Sequence, residues 1–241
     1  MGATSGIAEH CARLWVLEKE VELILIGRNQ KKMQAIADDL RVRGPHAEIQ
    51  VIEANFTDPK TIASLADTIA SQGKIDRVLI AHGVLPKQEE CQQNLTVCYN
   101  TLMINAISPI LFAEAFISHL EKSNHGTLAI IGSVAGDRGR KSIYTYGSTK
   151  ALVEHYVKGL QHRLARSSIK IVLIKPGPTD TAMTAHLKAN GAKLADVDMV
   201  AAECVRAIAC GKPFIYTPAK WRLIMGIIRH LPNFIFKKLD I

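Results

Sequence analysis

The stretch Gly2-Ala3-Thr4-Ser5-Gly6-Ile7-Ala8, or GATSGIA, decides how the rest of the sequence is interpreted. Its two glycines are spaced as in a turn that lets the backbone approach a phosphate, and a helical pattern follows from Ile7 onward. Such turns also occur for structural reasons alone, so the surrounding pattern has to decide. The turn normally connects a strand to a helix, yet no strand precedes Gly2 in the sequence.

Short, β-rich apolar runs alternate with longer helical patterns along the chain. The strand candidates are 21–27, 47–54, 76–83, 126–133, 169–177 and 212–218. The helix candidates, with apolar residues three and four positions apart, are 9–19, 29–43, 59–72, 95–121, 144–166 and 196–210. This alternation predicts an α/β fold, a doubly wound parallel sheet of the Rossmann type with helices on both faces.

The composition fits one globular domain. The 241 residues are 48% hydrophobic and 22% charged, and no repeat or linker divides them. We expect one domain over residues 1–218, with residues 219–241 as its amphipathic, basic tail. The five cysteines are far apart and form no CxxC pair, so we expect reduced thiols and no metal site.

The charge and hydropathy patterns narrow the class of partners. The net charge is +8, but lysine and arginine are dispersed and no nucleic-acid-binding motif is present, so we expect no nucleic-acid partner. No secretory leader pattern opens the chain, and no apolar run reaches the length of a membrane span. We therefore expect a cytoplasmic protein.

The end of the strand candidate 21–27 indicates which nucleotide the turn would bind. An acidic residue at that place would bind the ribose 2′-hydroxyl of NAD(H), but the sequence reads Gly27-Arg28-Asn29. The positive charge of Arg28 suits a 2′-phosphate. This favours NADP(H) over NAD(H), although Arg28 as an ordinary solvated arginine is the alternative.

Three further segments carry residues suited to proton transfer. Tyr146 and Lys150 lie four residues apart in a helical pattern, so the phenol and the ammonium group share one face, and a nearby cation stabilises a phenolate. Ser133 ends the strand candidate 126–133, at the edge where open α/β sheets place their ligands. Asn105 stands in an otherwise apolar helix, where a buried amide needs polar partners.

Together, GATSGIA, Asn105, Ser133, the Tyr146–Lys150 pair and KPGPTDTAM at 175–183 resemble the short-chain dehydrogenase/reductase family in its compact single-domain form. The resemblance covers residue 2 to about residue 216. It implies that Tyr146 is the general acid/base, that Ser133 polarises the substrate carbonyl, and that Lys150 holds the nicotinamide ribose and favours the tyrosinate. Asn105 would anchor a water chain that resupplies the proton.

The same resemblance implies a set of cofactor-binding residues along the carboxyl edge of the sheet. Asn55 and Phe56 would lie near the adenine, and Pro176, Gly177, Thr179 and Thr181 would flank the nicotinamide. The full set is Gly2, Thr4, Ser5, Gly6, Ile7, Arg28, Asn55, Phe56, Ala81, Gly83, Tyr146, Lys150, Pro176, Gly177, Thr179 and Thr181.

Two features depart from the family pattern. The family's Asn-Asn-Ala-Gly reads Ile80-Ala81-His82-Gly83 here, so Gly83 is kept for backbone access to the cofactor, but the asparagine that ties neighbouring strands is absent. A structural role and a role as a substrate or proton-relay group are both open for His82. The second departure is the absent first strand, which would lie in the middle of the sheet. We expect a gap between strands 21–27 and 76–83, and about six to ten apolar-rich residues ahead of Met1 in the functional protein.

The tail mixes aliphatic, aromatic and basic residues. Trp221, Ile224, Ile228 and Leu231 follow helical spacing, and Pro232 ends that run. The tail either packs on the body or a sister subunit, or attaches the protein to an anionic membrane at its inner face. Together with AGDRGR at 135–140, it is similar to bacterial reductases that act on a polyprenyl-phosphate-linked 2-keto sugar.

These observations predict an NADPH-dependent oxidoreductase that transfers a hydride between nicotinamide and a ketone or secondary alcohol. The alternative is a catalytically idle, nucleotide-binding regulator on the same fold, which the presence of Ser133, Tyr146 and Lys150 argues against. By the resemblance, we expect a homodimer or homotetramer formed through the helices around 95–121 and 144–166. The substrate is not identified by the sequence beyond its carbonyl or alcohol group.

Overall fold

The computed structural model describes residues 1–18 and 20–239. It contains six strands, one at each predicted place. They are β1 (Glu22–Gly27), β2 (Glu48–Glu53), β3 (Arg77–Ile80), β4 (Thr127–Ile131), β5 (Lys170–Pro176) and β6 (Phe214–Thr217). All pairings are parallel, as predicted for a sheet built from strand–helix–strand units.

The strands form two separate sheets. One has the order β1-β2 and the other β3-β4-β5-β6, and in the described residues no ladder joins β1 to β3. The gap between strands 21–27 and 76–83 that the sequence predicts is therefore present. We call this gap, between the facing edges of β1 and β3, the strand cleft.

Eleven α-helices lie in the described part of the chain. They are α1 (Gly6–Trp15), α2 (Gln30–Arg43), α3 (Pro59–Gln72), α4 (Gln88–Gln93), α5 (Leu95–Leu102), α6 (Ser108–Ser123), α7 (Tyr144–Arg163), α8 (Ala185–Ala189), α9 (Val197–Ala209), α10 (Lys220–His230) and α11 (Asn233–Phe236). A single helix over 95–121 was expected, but a π-helical turn over Met103–Ile107 separates α5 from α6. The predicted first helix, 9–19, begins earlier, at Gly6, and ends at Trp15.

Helix starts follow local capping chemistry. The Asp58 carboxylate accepts a hydrogen bond from the Thr61 N–H (2.9 Å), and Pro59 occupies the first helical position of α3. Asn29 caps α2 in the same way through the N–H of Lys32 (2.8 Å). These caps satisfy amides that have no partner within their own helix.

The core has apolar clusters on both faces of the parallel sheets. Phe112, Ile117 and Leu120 of α6 pack with residues of α3 and α7 on one face. On the other face, α1 and α9 pack together through Cys11 and Cys204 against Val172 of β5. This is the two-faced helical cover that the alternating pattern predicts.

The stretch Leu95–Ser123 is long and apolar enough to cross a membrane by length and composition, which departs from the expectation that no segment would be. Half of its most apolar window is buried inside the protein, and its second part, α6, packs against α3. A core helix of a globular protein has these same properties.

A buried cluster of charged side chains connects β5 to the loop that follows β4. The Lys175 side chain is 3% exposed, and its ammonium group pairs with the carboxylates of Asp137 and Glu154, the latter at 2.6 Å. Tyr216 of β6 donates its hydroxyl hydrogen to Asp137 (2.8 Å). Burial lowers the pKa of Lys175, but the hydrogen bonds that its ammonium group donates to these carboxylates outweigh burial and raise the pKa above its usual value.

We expect Lys175→Met to destabilise the protein by about 3–5 kcal/mol, because it leaves the buried Asp137 carboxylate without its cation. Equilibrium urea unfolding measures the change in the free energy of unfolding. The matched control is Lys158→Met, which removes the exposed partner of Glu154 and should cost less than about 1 kcal/mol. An equal decrease in the free energy of unfolding for the two variants would show that the buried cluster stabilises the protein no more than an exposed ion pair does.

Candidate active site

The glycine-rich turn lies at the carboxyl ends of β1 and β3. Gly2 has φ of +77°, and a Cβ at this position would lie 2.6–2.8 Å from the backbone and Cβ of His82. A Cβ on Gly6 would meet the Thr181 side chain at 2.9 Å. The two glycines therefore allow an approach that no other residue permits, which is the cradle expected for a pyrophosphate.

The turn is fixed to β1 by its backbone. The N–H groups of Gly2 and Ala3 donate to the Ile26 carbonyl (2.8 and 3.1 Å), and Ser5 donates back to Gly2 (2.9 Å). Ser5 precedes α1 and makes no side-chain cap, while Thr4 is exposed and Ile7 is buried in the core. The amides that begin α1 thus face the same space as the turn.

The residues predicted to lie near the adenosine half of the cofactor have different environments. Arg28 is exposed directly after β1, as expected for a residue that binds a 2′-phosphate. The exposed Asn55 accepts hydrogen bonds from the N–H and hydroxyl of Thr57 (both 3.0 Å). Phe56 is 3% exposed and packs edge-on against His82 and Phe112, so its side chain belongs to the core.

Asn105 lies in the π-helical turn and is completely buried. Its Oδ1 accepts from the Val84 N–H (2.7 Å) and its Nδ2 donates to the Val84 carbonyl (2.8 Å). The expected polar partner of Asn105 is therefore a backbone peptide, in the loop after β3. A Cβ on Gly83 would lie 3.0 Å from the Asn105 Oδ1 and 3.9 Å from the Lys150 Nζ, so Gly83 keeps these groups close.

Ser133, Tyr146 and Lys150 meet at the carboxyl end of β4. The strand itself stops at Ile131, and Ser133 follows two residues later, where its Oγ accepts from the Ala135 N–H (3.1 Å). The Lys150 ammonium group donates to the Ile131 carbonyl (2.9 Å) and lies 5.7 Å from the centre of the Tyr146 ring. The helix spacing thus brings the phenol and the ammonium group together as predicted.

Burial changes the acidity of both groups. Burial of the Tyr146 phenol raises its pKa above the usual value, while a hydrogen bond with Ser133 and the charge of Arg140 act in the opposite direction. Burial lowers the pKa of Lys150 to about 8. Arg140, a half-buried residue that the sequence analysis did not select, is therefore a neighbouring cation that favours the Tyr146 phenolate.

A buried glutamine holds the start of α7. The Gln88 Oε1 accepts from the Thr145 N–H (2.9 Å), and the Gln88 Nε2 donates to the Thr145 hydroxyl (2.9 Å). Thr145 directly precedes Tyr146, so Gln88 positions the first turn of the helix that carries the phenol. The sequence has no local signal for this contact, because the two residues are 57 positions apart.

The contacts of His82 indicate a structural role. Its Nε2 is 2.9 Å from the Ser108 hydroxyl, and its ring packs edge-on against Phe56 (4.6 Å between centroids). Burial is the main reason that the pKa of His82 lies well below 6.5. The nearby positive charges of the N-terminal amine, Lys150 and Arg28 lower it further. The imidazole is therefore neutral, and it connects the end of β3 to α6.

The predicted nicotinamide segment follows β5. Pro176 ends the strand, Thr179 is buried and donates its hydroxyl hydrogen to the Gly177 carbonyl (3.0 Å), and Thr181 begins a short helical turn. A Cβ on Gly177 would collide with the indole of Trp221. The tail helix α10 therefore packs on this segment, a contact that the sequence analysis did not anticipate.

Arg138 fastens the tail beside the Ser133 loop. Its guanidinium donates to the carbonyls of Ile228 and Leu231 (both 2.6 Å) and lies 3.9 Å from the Phe236 ring centre. Of the predicted tail, residues 240–241 lie outside the described residues. The described part packs on the body at one side of the site.

Comparison with known proteins shows the family of this chain. Residues 1–192 match the family model described as short chain dehydrogenase. The chain belongs to the short-chain dehydrogenase family. As a short-chain dehydrogenase, it is an NAD(P)-dependent oxidoreductase with the parallel α/β fold of that family.

The relatives of this short-chain dehydrogenase span three quarters or more of its length. An uncharacterized oxidoreductase of Streptomyces coelicolor is 24% identical over 240 residues, covering 99% of this chain and 94% of its own. One from Staphylococcus aureus (strain USA300) is 30% identical over 186 residues, covering 76% and 78%. Among solved structures, a short-chain dehydrogenase from Sphingobium yanoikuyae in complex with NADPH has a TM-score of 0.82 at 21% identity, covering 96% and 94%.

The residues present in this short-chain dehydrogenase fit a dinucleotide cofactor. The positive φ of Gly2 and the close approach at Gly6 leave a backbone cradle, and the amides at the start of α1 favour an anion there. Ala81 and Gly83 border the cradle from β3, with the Ala81 N–H donating to the Met1 carbonyl (3.0 Å).

We expect Arg140→Gln to raise the pKa of Tyr146 further, because the substitution removes the positive charge that opposes the effect of burial. Ultraviolet titration of the phenolate, taken as the difference between each protein and the same protein carrying Tyr146→Phe, measures the midpoint. The control Arg41→Gln removes an equal charge from exposed α2 and should leave the midpoint in place. A midpoint that does not move in Arg140→Gln would rule out this electrostatic contact.

Proposed function

We propose that the protein is an NADPH-dependent reductase of a ketone, or the corresponding secondary-alcohol dehydrogenase, with Tyr146 as its general acid/base. The observation that carries the proposal is the convergence of Ser133, Tyr146 and Lys150 at the end of β4, with the Lys150 ammonium group fixed 5.7 Å from the Tyr146 ring centre. A serine hydroxyl and a phenol directed to one point suit a carbonyl oxygen.

Each of these side chains has a distinct role in the proposal. In reduction, Tyr146 donates its phenol proton to the carbonyl oxygen, and Ser133 donates a hydrogen bond to the same oxygen as charge develops there. The buried ammonium group of Lys150 holds the ribose of the nicotinamide half. The bound cofactor supplies the hydride.

Asn105 supports these residues through the backbone. By holding the Val84 peptide at both its N–H and its carbonyl, it fixes the loop that carries Gly83 beside Lys150. In the proposal, ordered water near this loop returns a proton to the phenol after each reduction. Asn105 is thus a positioning residue for the proton supply.

We expect Tyr146→Phe to lower kcat by about 10²–10⁴-fold, because the ring remains but no proton can be donated. NADPH oxidation over a panel of ketones gives kcat, and NADPH fluorescence gives cofactor binding, which should be unchanged. The control is Tyr144→Phe, which removes an exposed hydroxyl two residues away and should retain activity.

The same experiment addresses the alternative of an idle regulator. Turnover that is unchanged by Tyr146→Phe would contradict the assigned mechanism. Tight NADPH binding by the wild-type protein without turnover of any ketone or alcohol would favour the regulator.

We further propose that NADP(H) is preferred over NAD(H). Arg28 is exposed at the carboxyl end of β1, and a guanidinium suits a phosphate better than a ribose hydroxyl. The structures from Sphingobium yanoikuyae and from Burkholderia cenocepacia, the latter with a TM-score of 0.84 at 17% identity, contain NADPH and NADP respectively. These cofactors support the preference for NADP(H).

We expect Arg28→Ala to lower kcat/KM for NADPH by about 10-fold or more, since a hydrogen bond to a charged group is removed. The value for NADH should stay within about twofold. Steady-state kinetics with both cofactors measures the ratio, and Arg41→Ala serves as the control for loss of a nearby exposed arginine. An equal loss for NADPH and NADH would contradict a 2′-phosphate contact.

The surface supports assembly into a homodimer or homotetramer through α5 and α7. Large apolar side chains are exposed on both helices, with Leu95 at 82% and Tyr99 at 61% on α5, and Leu152 at 44% on α7. Burial of such residues between subunits would remove apolar area from water. The cytoplasm is the compartment that fits this proposal.

The tail also presents an interfacial surface. Leu223 and Ile227, one turn apart on α10, are 76% and 67% exposed, and Phe234 of α11 is 70% exposed. The basic residues around them suit an anionic membrane surface, and the apolar ones equally suit a subunit contact. Peripheral attachment would place the site close to a lipid-linked keto sugar, the substrate class that the tail's resemblance implies.

A further inference from the structure

Arg140 differs from the other partly buried arginines of the described chain, which are Arg13 and Arg138. Arg13 pairs with two carboxylates, and Arg138 donates to two carbonyls of the tail. Among the described residues, no carboxylate or hydrogen-bond acceptor pairs with the Arg140 guanidinium. Burial lowers the pKa of Arg140, because a charge held away from water without an anion is unfavourable. An anion from outside the described chain would remove this cost.

The backbone places Arg140 beside the reacting phenol. The Arg140 carbonyl accepts from the Ile143 N–H (3.1 Å), and the Ile143 carbonyl accepts from the Gly147 N–H (2.8 Å). These two turns connect the loop that follows Ser133 to the first turn of α7, which carries Tyr146. The charges of Arg140 and Tyr146 act on each other, so the guanidinium lies on the same side of the loop as the phenol.

The cations at this end of the site have different partners. The Lys150 ammonium group donates to the Ile131 carbonyl (2.9 Å), and in the proposed function it also holds the nicotinamide ribose. The carboxylate of the same loop, Asp137, pairs with the buried Lys175 and is not available to Arg140. Within the described part of the chain, Arg140 is therefore the cation of the site that is left for a substrate.

The surface beside the site is also basic. The indole of Trp221 packs against Gly177, which follows β5, and the exposed side chains of Lys220 and Arg222 flank that indole. The whole chain has a net charge of +8. Positive charge around a site increases the local concentration of anions. The charge outside the site and the guanidinium inside it thus favour the same sign of substrate.

We propose that Arg140 binds an oxyanion of the substrate, a carboxylate or a phosphate on the same molecule as the reacting carbonyl. This role rests on the proposed ketone reduction, since it places the anion near the carbonyl oxygen that Ser133 and Tyr146 contact. A guanidinium presents paired N–H donors that match two oxygens of either anion. The substrate class is then an anionic ketone, or the anionic secondary alcohol formed from it.

The test compares ketones with and without an anionic group. One pair is pyruvate and methyl pyruvate, and the other is dihydroxyacetone phosphate and dihydroxyacetone. Within each pair, kcat/KM of the anionic ketone divided by that of the neutral ketone gives the anion preference. The substitution Arg140→Gln also changes the pKa of Tyr146, but that effect acts on both members of a pair and cancels in the ratio.

We expect the wild-type protein to prefer the anionic member of at least one pair, and Arg140→Gln to reduce this preference by about 10-fold or more, because a charge-assisted contact is lost. Arg140→Lys keeps the charge without the paired donors and should restore part of the preference. The control Arg41→Gln removes an exposed charge from α2 and should change it by less than about twofold. The pair with the larger loss distinguishes a carboxylate from a phosphate.

Binding measured without turnover separates this proposal from the proposed function. Isothermal titration calorimetry of the NADPH-loaded Tyr146→Phe protein gives the Kd of pyruvate and of dihydroxyacetone phosphate. Adding Arg140→Gln should raise the Kd of the preferred anion by about 10-fold or more, while the Kd of NADPH stays the same. If no ketone is turned over but an anion still binds through Arg140, the reductase assignment fails and the anion site stands.

Three results would overturn the proposal. An anion preference that is absent in the wild-type protein, or unchanged in Arg140→Gln, would show that the guanidinium does not contact the substrate. Weaker NADPH binding in Arg140→Gln would assign the guanidinium to the cofactor. Weaker binding of Arg140→Gln to phosphatidylglycerol vesicles, with no change for the soluble ketones, would assign it to a lipid headgroup.

Discussion

The buried ammonium group of Lys175 connects three parts of the molecule that must stay in place for the active site to exist. It extends from the last part of β5, pairs with Asp137 in the loop just after Ser133, and pairs with Glu154 on the helix that carries Tyr146 and Lys150. An ion pair taken out of water is stable only when its partners are held accurately. The cluster therefore couples the position of the serine loop to that of the tyrosine helix.

A second set of contacts, all of them to the backbone, holds the reacting groups from the opposite side. Asn105 fixes the Val84 peptide, Gln88 fixes the first turn of α7, and Lys150 is anchored on the Ile131 carbonyl. Each of these side chains is buried and has satisfied hydrogen bonds. Such an arrangement reduces the motion of the catalytic groups before any ligand arrives, which is the preorganisation that electrostatic catalysis requires.

Much of the fold could be predicted from the sequence because its signals are local. The apolar strand runs, the Asp58–Pro59 helix start and the spacing of Tyr146 and Lys150 each involve neighbours within a few residues, and the structure shows all of them. Two of the missed contacts connect distant residues: Gln88 with Thr145, and Trp221 with Gly177. The third, Arg140 with Tyr146, spans six residues, but Arg140 precedes α7, so helical spacing does not predict the contact. The core packing of Phe56 was also not predicted, because an aromatic residue after a strand has no local feature that distinguishes a core position from a ligand contact.

The π-helical turn at Met103–Ile107 determines which side chains of α5 and α6 face the solvent and which face the core. A π-helical turn holds one residue more than a regular turn, so the faces of the helix before and after it are offset by about 100°. Before the turn, α5 exposes Leu95 and Tyr99, whereas after it α6 buries Phe112 and Phe116. Loss of a single residue here would restore a regular helix and rotate one half against the other, so the length of this short segment is far less free to vary than its amino-acid composition.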